Sequence, residues 1–389
     1  MTKVAFIVGE ESGDRIGADL IRALRTALGD ELEVVGLGGA AMQAEGLSSL
    51  FDISELSIVG IGAVVVRLPQ LLWRIEQAAR DVLREKPDIL VIIDSPAFSH
   101  RVAKKVRARA PDLPIVNYVP PTVWAWRPQR AADMRGYVDQ VVSFLPFEPE
   151  VLRELGGPPA IYVGHPLVAE PHLKAIMARI ADRGARIPSV PPRLVILPGS
   201  RRGEISRLSD DFGRTLALLK ERMPDLEATL PALPRLRTAI EERVNGWAVK
   251  PKIVSGDEAK WQAFATADAA LAASGTVSLE LALAGVPMAL AYRLDPVGYQ
   301  LRHLITGWTA ALPNYIAGHP LVPEHFHEFV RPELLARRLQ RLLTDTPERR
   351  AQIEGFADIR RKMHVDRPPG EAAAEIVLGV IRRDMPPRR

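Results

Sequence analysis

Residues 194–204, LVILPGSRRGE, place a glycine turn and two adjacent arginines directly after a short apolar run. The run Leu194–Leu197 predicts a buried strand. Glycine lets the backbone approach a ligand closely, and a guanidinium can bind two phosphate oxygens at once. Gly199, Ser200 and Arg201 are therefore candidate phosphate ligands. The alternative is a surface turn with solvated arginines.

A second candidate anion site is ASGTVSLE, residues 273–280. Here Ser274, Gly275 and Thr276 follow an apolar strand and begin a helix, whose free N–H groups and dipole favour anions. Glu280 lies one turn further along a similar face and could accept hydrogen bonds from a ribose. The alternative is a capped amphipathic helix with a solvated glutamate.

Asp94 ends the apolar strand candidate Ile89–Ile93, where site residues of open α/β sheets collect, and is a candidate general base. The alternative role for Asp94 is an N-cap.

The sequence GEESGD at residues 9–14 predicts a turn before a helix that starts near Gly17. Its three acids would repel a pyrophosphate, so Ser12 and Gly13 are expected to face a neutral group such as a sugar, or only to cap the helix.

The loop Val119–Arg127, VPPTVWAWR, contains two prolines and two tryptophans. The prolines stiffen the loop, and Trp124 and Trp126 offer broad faces to a sugar or an acyl chain. A packed corner of the core would use the same residue types.

Composition narrows the class of protein. The 389 residues carry a net charge of +4 and include no cysteine, which excludes disulfides, thiolate catalysis and cysteine-bound zinc. The basic residues are dispersed, which argues against nucleic acid, and the histidines lack metal-binding spacing, so no metal and no cofactor are expected. No run approaches the roughly 18 apolar residues of a membrane span, and a cytoplasmic protein is expected.

Strand and helix patterns alternate along the whole chain, which predicts parallel sheets built from crossover units. A proline- and charge-rich stretch at about residues 166–192 is interpreted as a linker between two such domains. The predicted strands are Val4–Val8, Val34–Leu37, Ile89–Ile93, Ile115–Val119, Gln140–Phe144 and Ile161–Val163, then Leu194–Leu197, Leu226–Leu230, Lys252–Val254, Ala269–Ala272 and Met288–Tyr292.

Over almost its full length the chain resembles the lipid-A-disaccharide synthases, bacterial enzymes that join two acylated glucosamine units. Many ordered motifs carry this resemblance. They include GEESGDRIGADL (9–20), GLGGAAMQAEG (36–46), ELSIVGIGAVV (55–65), IDSPAF (93–98), PPTVWAWR (120–127), FLPFEPE (144–150), YVGHPL (162–167), LPGSRRGEI (197–205), ASGTVSLE (273–280), PMALAYR (287–293) and ALPNYIAG (311–318).

The resemblance implies an α/β fold of two Rossmann-like domains, of GT-B type, with an interdomain cleft. The expected divisions are 1–168 for the acceptor side, 169–355 for the UDP-sugar side and 356–389 for helices that return to the first domain. The implied reaction joins UDP-2,3-diacylglucosamine to 2,3-diacylglucosamine 1-phosphate. UDP leaves, and a β(1→6) disaccharide forms with inversion and without a metal.

The resemblance also implies roles for individual residues. Asp94 would be the base, while Arg201, the Ser274–Thr276 helix start, Glu280 and Asn314 would bind UDP. Ser12, Gly13, Trp124 and Trp126 would face the sugar or the acceptor.

The acylated substrates imply peripheral contact with the inner membrane. The stretch VVVRLPQLLW at 64–73 is the candidate contact, or else an ordinary core helix. Its contact residues would be Val65, Leu68, Leu71, Leu72 and Trp73. The sequence leaves open whether the protein forms a homodimer.

Three positions depart from the family pattern: Ala97 replaces a second acid, Pro120 replaces a serine and His327 replaces a glutamine. They are expected to affect acyl-chain or acceptor preference rather than the reaction. Two other functions compete: a glycosyltransferase or epimerase for a different UDP-sugar, and a non-catalytic binding protein.

Overall fold

The computed structural model divides the chain into two compact units. The first comprises Met1–Pro166 and the described residues from Val365 onward, and the second comprises Leu167–His364. The structure describes residues 1–56, 61–183, 187–300, 302 and 305–382, and of residues 61–66, 183 and 297 it describes the backbone only.

The first unit is a seven-stranded parallel sheet with helices on both faces. Its strands are β1 (Thr2–Val8), β2 (Leu32–Leu37), β3 (Ser48–Ser49), β4 (Ile89–Ile93), β5 (Ile115–Tyr118), β6 (Gln140–Ser143) and β7 (Ala160–Tyr162). Its helices are α1 (Glu11–Leu28), α2 (Ala40–Ala44), α3 (Ile61–Glu85), α4 (Ser99–Arg109), α5 (Gln129–Met134), α6 (Glu148–Glu154) and α16 (Pro369–Arg382).

The strand order in this sheet is β3-β2-β1-β4-β5-β6-β7, and every pair is parallel. The central strands are continuous apolar runs because both faces are covered, as the fully buried β4 illustrates. Helices α1 and α16 pack on each other over one face, and α3 and α4 pack on each other over the opposite face.

The second unit contains a six-stranded parallel sheet. Its strands are β8 (Arg193–Leu197), β9 (Glu227–Ala232), β10 (Lys252–Ser255), β11 (Ala269–Ala273), β12 (Met288–Tyr292) and β13 (Glu324–Phe326). Its helices are α7 (Pro171–Arg183), α8 (Arg202–Arg222), α9 (Arg237–Val244), α10 (Asp257–Thr266), α11 (Thr276–Leu283), α12 (Pro296–Gln300), α13 (Leu312–Ala317), α14 (Pro332–Leu343) and α15 (Pro347–Lys362).

The strand order here is β10-β9-β8-β11-β12-β13, the same winding as in the first unit. In both sheets the order reverses between the first and fourth strands, β1 and β4 in one and β8 and β11 in the other. Open α/β sheets bind ligands beyond the carboxyl ends of the strands at such a switch point. The fold therefore directs attention to the residues after β1, β4, β8 and β11.

Every predicted strand is present at nearly the predicted bounds, and two interpretations of loops were wrong. Helix α1 begins at Glu11, not near Gly17, because acids in a first turn favour a helix N-terminus. The stretch interpreted as a linker contains α7, which buries Leu173 and Ile176 and packs on α10 and α11. The short strands β3 and β13 were not predicted.

None of the helices within the described ranges has the length and apolar content that crossing a membrane requires.

Candidate functional site

Asp94 lies at the switch point of the first sheet, immediately after β4. Both Asp94 and Ser95 adopt left-handed backbone conformations, with φ of 50° and 47°. Such strain in residues other than glycine is concentrated at functional sites. The Oδ1 of Asp94 accepts the backbone N–H of Ser95 at 2.7 Å, and Oδ2 accepts the hydroxyl of Ser12 at 3.3 Å. The structure therefore brings together two of the predicted site residues.

Ser12 and Gly13 lie in the first turn of α1 rather than in the predicted turn before a helix. Ser12 is exposed and does not cap the helix. A Cβ on Gly13 would lie 3.0 Å from the Val8 side chain and 3.5 Å from the Ile93 carbonyl oxygen. Glycine at position 13 thus lets the start of α1 approach the ends of β1 and β4, which places Ser12 beside Asp94.

The loop between β5 and α5 contains Trp124 and Trp126, both half-buried. Left-handed residues stand at its two ends, Val119 at φ 66° and Arg127 at φ 53°. A positive φ is a marked outlier for a β-branched valine. The Trp124 indole Nε1–H donates to Glu148 Oε1 at 3.4 Å, and its ring packs edge-on against Phe147. The Arg127 guanidinium stacks on Trp126 at 5.3 Å.

A cavity of about 350 Å³ opens at the switch point of the second sheet, beyond β8 and β11. Its lining includes seven of the eight residues predicted to bind UDP. These are Gly199, Ser200, Arg201, Ser274, Gly275, Thr276 and Glu280. The two sequence motifs, separated by about seventy residues, therefore form one site.

The turn after β8 is organised around Glu204, which is almost fully buried. Its Oε2 accepts the backbone N–H groups of Ser200 at 2.9 Å and Arg201 at 3.3 Å, and its Oε1 lies 2.8 Å from Nη1 of Arg201. A Cβ on Gly199, at φ 132°, would collide with the Glu204 side chain at 2.5 Å. The N–H groups expected to hold phosphate thus already have a carboxylate partner, while the Arg201 side chain remains 78% exposed.

On the opposite side of the cavity, Glu280 forms an ion pair with Lys260. The Nζ of Lys260 lies 3.2 Å from Oε2 and 3.3 Å from Oε1. Burial raises the pKa of Glu280, and Lys260 opposes this shift. The alternative of a solvated glutamate is excluded, since the Glu280 side chain is only 16% exposed.

Asn314, the eighth predicted residue, does not line this cavity. It is buried in α13, where its amide contacts Thr309, Val322 and Glu324. Glu324 also accepts the backbone N–H of Ala310, whose carbonyl oxygen accepts the Ser274 hydroxyl at 2.9 Å. Asn314 is therefore linked to the cavity indirectly, through Glu324 and the loop whose carbonyl oxygen accepts the Ser274 hydroxyl.

The candidate membrane-contact residues lie on α3. Leu68, Leu72 and Trp73 are 41%, 48% and 54% exposed, and Leu71 is half-buried. Val65 falls among residues 61–66, whose side chains lie outside the described part of the structure. The alternative, an ordinary core-facing helix, applies to the later turns of α3, which bury Ile75, Ala78, Ala79 and Val82.

Sequence reasoning missed three functional candidates: Glu148, Glu204 and Lys260. Glu204 follows Arg201 by three residues, which is the spacing of a capping box. The hydrogen bonds from the turn to Glu204 could therefore have been predicted from the local sequence. Glu148 stands within the family-like motif FLPFEPE. Lys260 had no local signal, because it meets Glu280 only through the packing of α10 beside α11.

Comparison with protein families identifies relatives along almost the whole chain. A family model described as lipid-A-disaccharide synthetase matches residues 4–375. The lipid-A-disaccharide synthase of Rhodopseudomonas palustris strain HaA2 is 50% identical, covering 98% of this chain and 97% of that protein. The synthase of Bradyrhizobium diazoefficiens is 48% identical, with the same coverage of both chains.

Solved structures share the fold at low identity. The UDP-GlcNAc 2-epimerase from Neisseria meningitidis bound to UDP-GlcNAc aligns with a TM-score of 0.60 at 13% identity, covering 97% of this chain and 100% of that one. MurG from Acinetobacter baumannii aligns with a TM-score of 0.59 at 15% identity and the same coverage. The predicted fold class, two Rossmann-like domains as in GT-B glycosyltransferases, is confirmed.

Proposed function

The chain belongs to the lipid-A-disaccharide synthetase family, and from this premise we propose how its residues perform the reaction. It is an inverting hexosyltransferase of lipid A biosynthesis. It joins UDP-2,3-diacylglucosamine to 2,3-diacylglucosamine 1-phosphate and releases UDP. The acceptor 6-hydroxyl oxygen forms a bond to the anomeric carbon as the bond from that carbon to the UDP oxygen breaks, which leaves a β(1→6) linkage.

The cavity of the second unit binds the UDP part of the donor in this proposal. Negative charge develops on UDP as it leaves, and the exposed guanidinium of Arg201 stabilises it. The start of α11 at Ser274–Thr276 faces the phosphates. Glu280, oriented by Lys260, accepts hydrogen bonds from the ribose hydroxyls.

Gly199 and Ser200 shape the phosphate turn: Gly199 leaves room for the Glu204 side chain, and the backbone N–H of Ser200, like that of Arg201, already donates to Glu204. Asn314 acts indirectly, through Glu324 and the loop that accepts the Ser274 hydroxyl. Both assignments refine the direct contacts that the sequence suggested.

Asp94 is the base in this proposal and removes the proton of the acceptor hydroxyl as that oxygen attacks. Ser12 holds one carboxylate oxygen, and Gly13 lets the helix reach that position. Trp124 and Trp126 contact the acceptor sugar or its acyl chains. No group of three or more acidic or histidine side chains in the described ranges could hold a metal ion.

Leu68, Leu72 and Trp73 on α3 contact the inner-membrane surface from which the acylated substrates come. Exposed leucines beside an exposed tryptophan suit the boundary between lipid headgroups and acyl chains, with Arg67 available to anionic lipid. This contact makes the protein peripheral to the membrane on the cytoplasmic side.

The observation that carries the site proposal is the convergence of two distant motifs on one cavity at the switch point of the second sheet. Purified protein incubated with both lipid substrates should release UDP and form the disaccharide phosphate in equal amounts, measured by mass spectrometry. Free diacylglucosamine in place of the disaccharide would indicate hydrolysis, and an epimerised UDP-sugar would indicate an epimerase. Either product, or no UDP release, would contradict the proposal.

A further inference from the structure

Glu148 is a buried carboxylate that the proposed reaction does not use. It is 5% exposed, and in the described part of the chain its hydrogen-bond partners are N–H groups of Leu145 and Trp124 rather than lysine or arginine side chains. Burial raises its pKa to about 7. A buried carboxylate without a cation is costly, and the fold alone gains little from it over an apolar residue. What Glu148 contributes therefore lies in the groups that its hydrogen bonds hold in place.

The two oxygens of Glu148 connect two loops. Oε2 accepts the backbone N–H of Leu145 at 3.1 Å, which fixes Glu148 to the chain that leaves β6. Oε1 accepts the indole Nε1–H of Trp124 in the loop that leaves β5. Phe147, one residue before Glu148, packs edge-on against the same indole with ring centroids 5.5 Å apart. Residues 147 and 148 thus fix both the tilt and the rotation of the Trp124 ring.

Strand order places this contact close to Asp94. Strands β4, β5 and β6 are neighbours in the sheet, and Asp94, the tryptophan loop and Glu148 follow their carboxyl ends in turn. The backbone N–H of Asp94 contacts the carbonyl oxygen of Tyr118, the last residue before the loop. Trp124 is only half-buried, so part of its indole remains accessible to a ligand.

We infer that Glu148 is a positioning residue that holds Trp124 for binding of the acylated acceptor sugar. The inference rests on the proposed function, since it assigns the acceptor to the edge of the sheet that carries Asp94. Glu148 acts through Trp124 and touches neither the reacting atoms nor UDP. Its loss should weaken acceptor binding and leave donor binding intact.

The test uses Glu148→Leu, which removes both acceptor oxygens, and Glu148→Gln, which keeps one. Glu148→Leu should raise the KM for 2,3-diacylglucosamine 1-phosphate about tenfold, with kcat and the KM for the UDP donor within about twofold, since Trp124 loses the hydrogen bond that orients its indole. Glu148→Gln should restore only part of the loss, because its single amide oxygen has to serve two N–H donors, those of Leu145 and Trp124. Glu150→Leu, two residues further along α6 and exposed, is the matched control.

A double-mutant cycle with Trp124→Phe separates positioning from a general loss of stability. Trp124→Phe keeps an aromatic ring but removes the N–H, so the double variant should be no worse than either single variant. The inference would be overturned if the effects of the two substitutions on the acceptor KM multiplied in the double variant. An equal rise in the KM values for the acceptor and the donor would also overturn it.

Hydrogen exchange of the Trp124 indole N–H, assigned by its absence in Trp124→Phe, tests the contact without any turnover. Exchange should be slowed in the wild type and in Glu150→Leu, and faster in Glu148→Leu. Equal exchange in all three would overturn the inference. Absence of the disaccharide product from the wild type would instead contradict the proposed function.

Discussion

The hydroxyl of Ser12 donates a 3.3 Å hydrogen bond to Oδ2 of Asp94, although 82 residues separate them in the sequence. The contact depends on two backbone features. Gly13 lets α1 approach the strand ends, and Asp94 adopts a left-handed conformation in which its carboxylate also accepts the backbone N–H of Ser95. The proposed base is therefore held by a helix on one side and by its own turn on the other.

Asp94→Asn should lower kcat by at least about 100-fold, because the amide cannot accept the acceptor proton. Binding of UDP, measured by titration calorimetry, should remain within twofold of wild type, since UDP is assigned to the other unit. Asp112→Asn, an exposed aspartate between α4 and β5, is the control and should behave as wild type. Full activity of Asp94→Asn would show that another group removes the proton.

Ser12→Ala should lower kcat about two- to tenfold, the effect of one lost hydrogen bond of about 0.5–1.5 kcal/mol. The same substitution made in Asp94→Asn should have no further effect, because the charged partner is already gone. Steady-state rates of the four proteins complete the cycle. Independent, multiplying effects would mean that Ser12 acts on the substrate rather than on Asp94.

Arg201→Ala should weaken UDP binding about 10- to 100-fold, as expected for loss of charge-assisted hydrogen bonds worth about 1.5–3 kcal/mol. Arg202→Ala should change it less than twofold, because Arg202 is exposed and does not line the cavity. Calorimetric titration with UDP compares the two adjacent arginines directly. Equal losses would point to general electrostatic attraction in place of a specific contact.

Replacing Leu72 and Trp73 together by serine should weaken binding to anionic phospholipid vesicles about 30-fold. Each side chain is about half exposed, and burying its exposed apolar surface in lipid would contribute about 1 kcal/mol to the free energy of binding. Leu334→Ser, an exposed leucine on α14, provides the control. Vesicle flotation measures the bound fraction. Unchanged flotation of the double variant would exclude α3 as the contact.

Stability should fall in acid because of His100, whose pKa burial lowers from 6.5 to about 4. Its ring nitrogens contact Tyr137 at 2.9 Å and Asn117 at 3.4 Å. Between pH 6.5 and 4 the unfolded state binds more protons at this histidine than the folded state does. Its contribution to the free energy of unfolding is therefore complete above pH 6.5 and falls by about 1.4 kcal/mol per pH unit below it.

Urea unfolding of the wild type and of His100→Gln at pH 7.5, 6.0 and 5.0 measures this contribution. The wild type should lose stability relative to the variant as the pH falls. His319→Gln, at an exposed site, should follow the wild-type profile. Parallel profiles for the wild type and His100→Gln would contradict the assignment to His100.

The strands, and the two strand-to-helix turns proposed to bind phosphate, could be recognised in the sequence because each is a local pattern. A run such as ILVII before Asp94, short and rich in β-branched residues, is typical of a strand covered on both faces. Contacts between distant elements were not predictable, as the pairing of Lys260 with Glu280 illustrates. The start of α1 was misplaced because glycine, serine and acids favour both a turn and a helix N-terminus, and only the packing of Gly13 against β1 and β4 decides between them.

The packing of α16 on α1 has a consequence for the order in which the protein is completed during synthesis. The second unit is continuous in the chain, whereas the first needs the segment from Val365 onward to cover Leu20, Ile21 and Leu24. The ribosome therefore delivers every residue of the second unit before the last helix of the first. Until that helix emerges, the part of the first unit that was translated first presents an uncovered apolar face, the kind of surface that makes incomplete chains prone to aggregation.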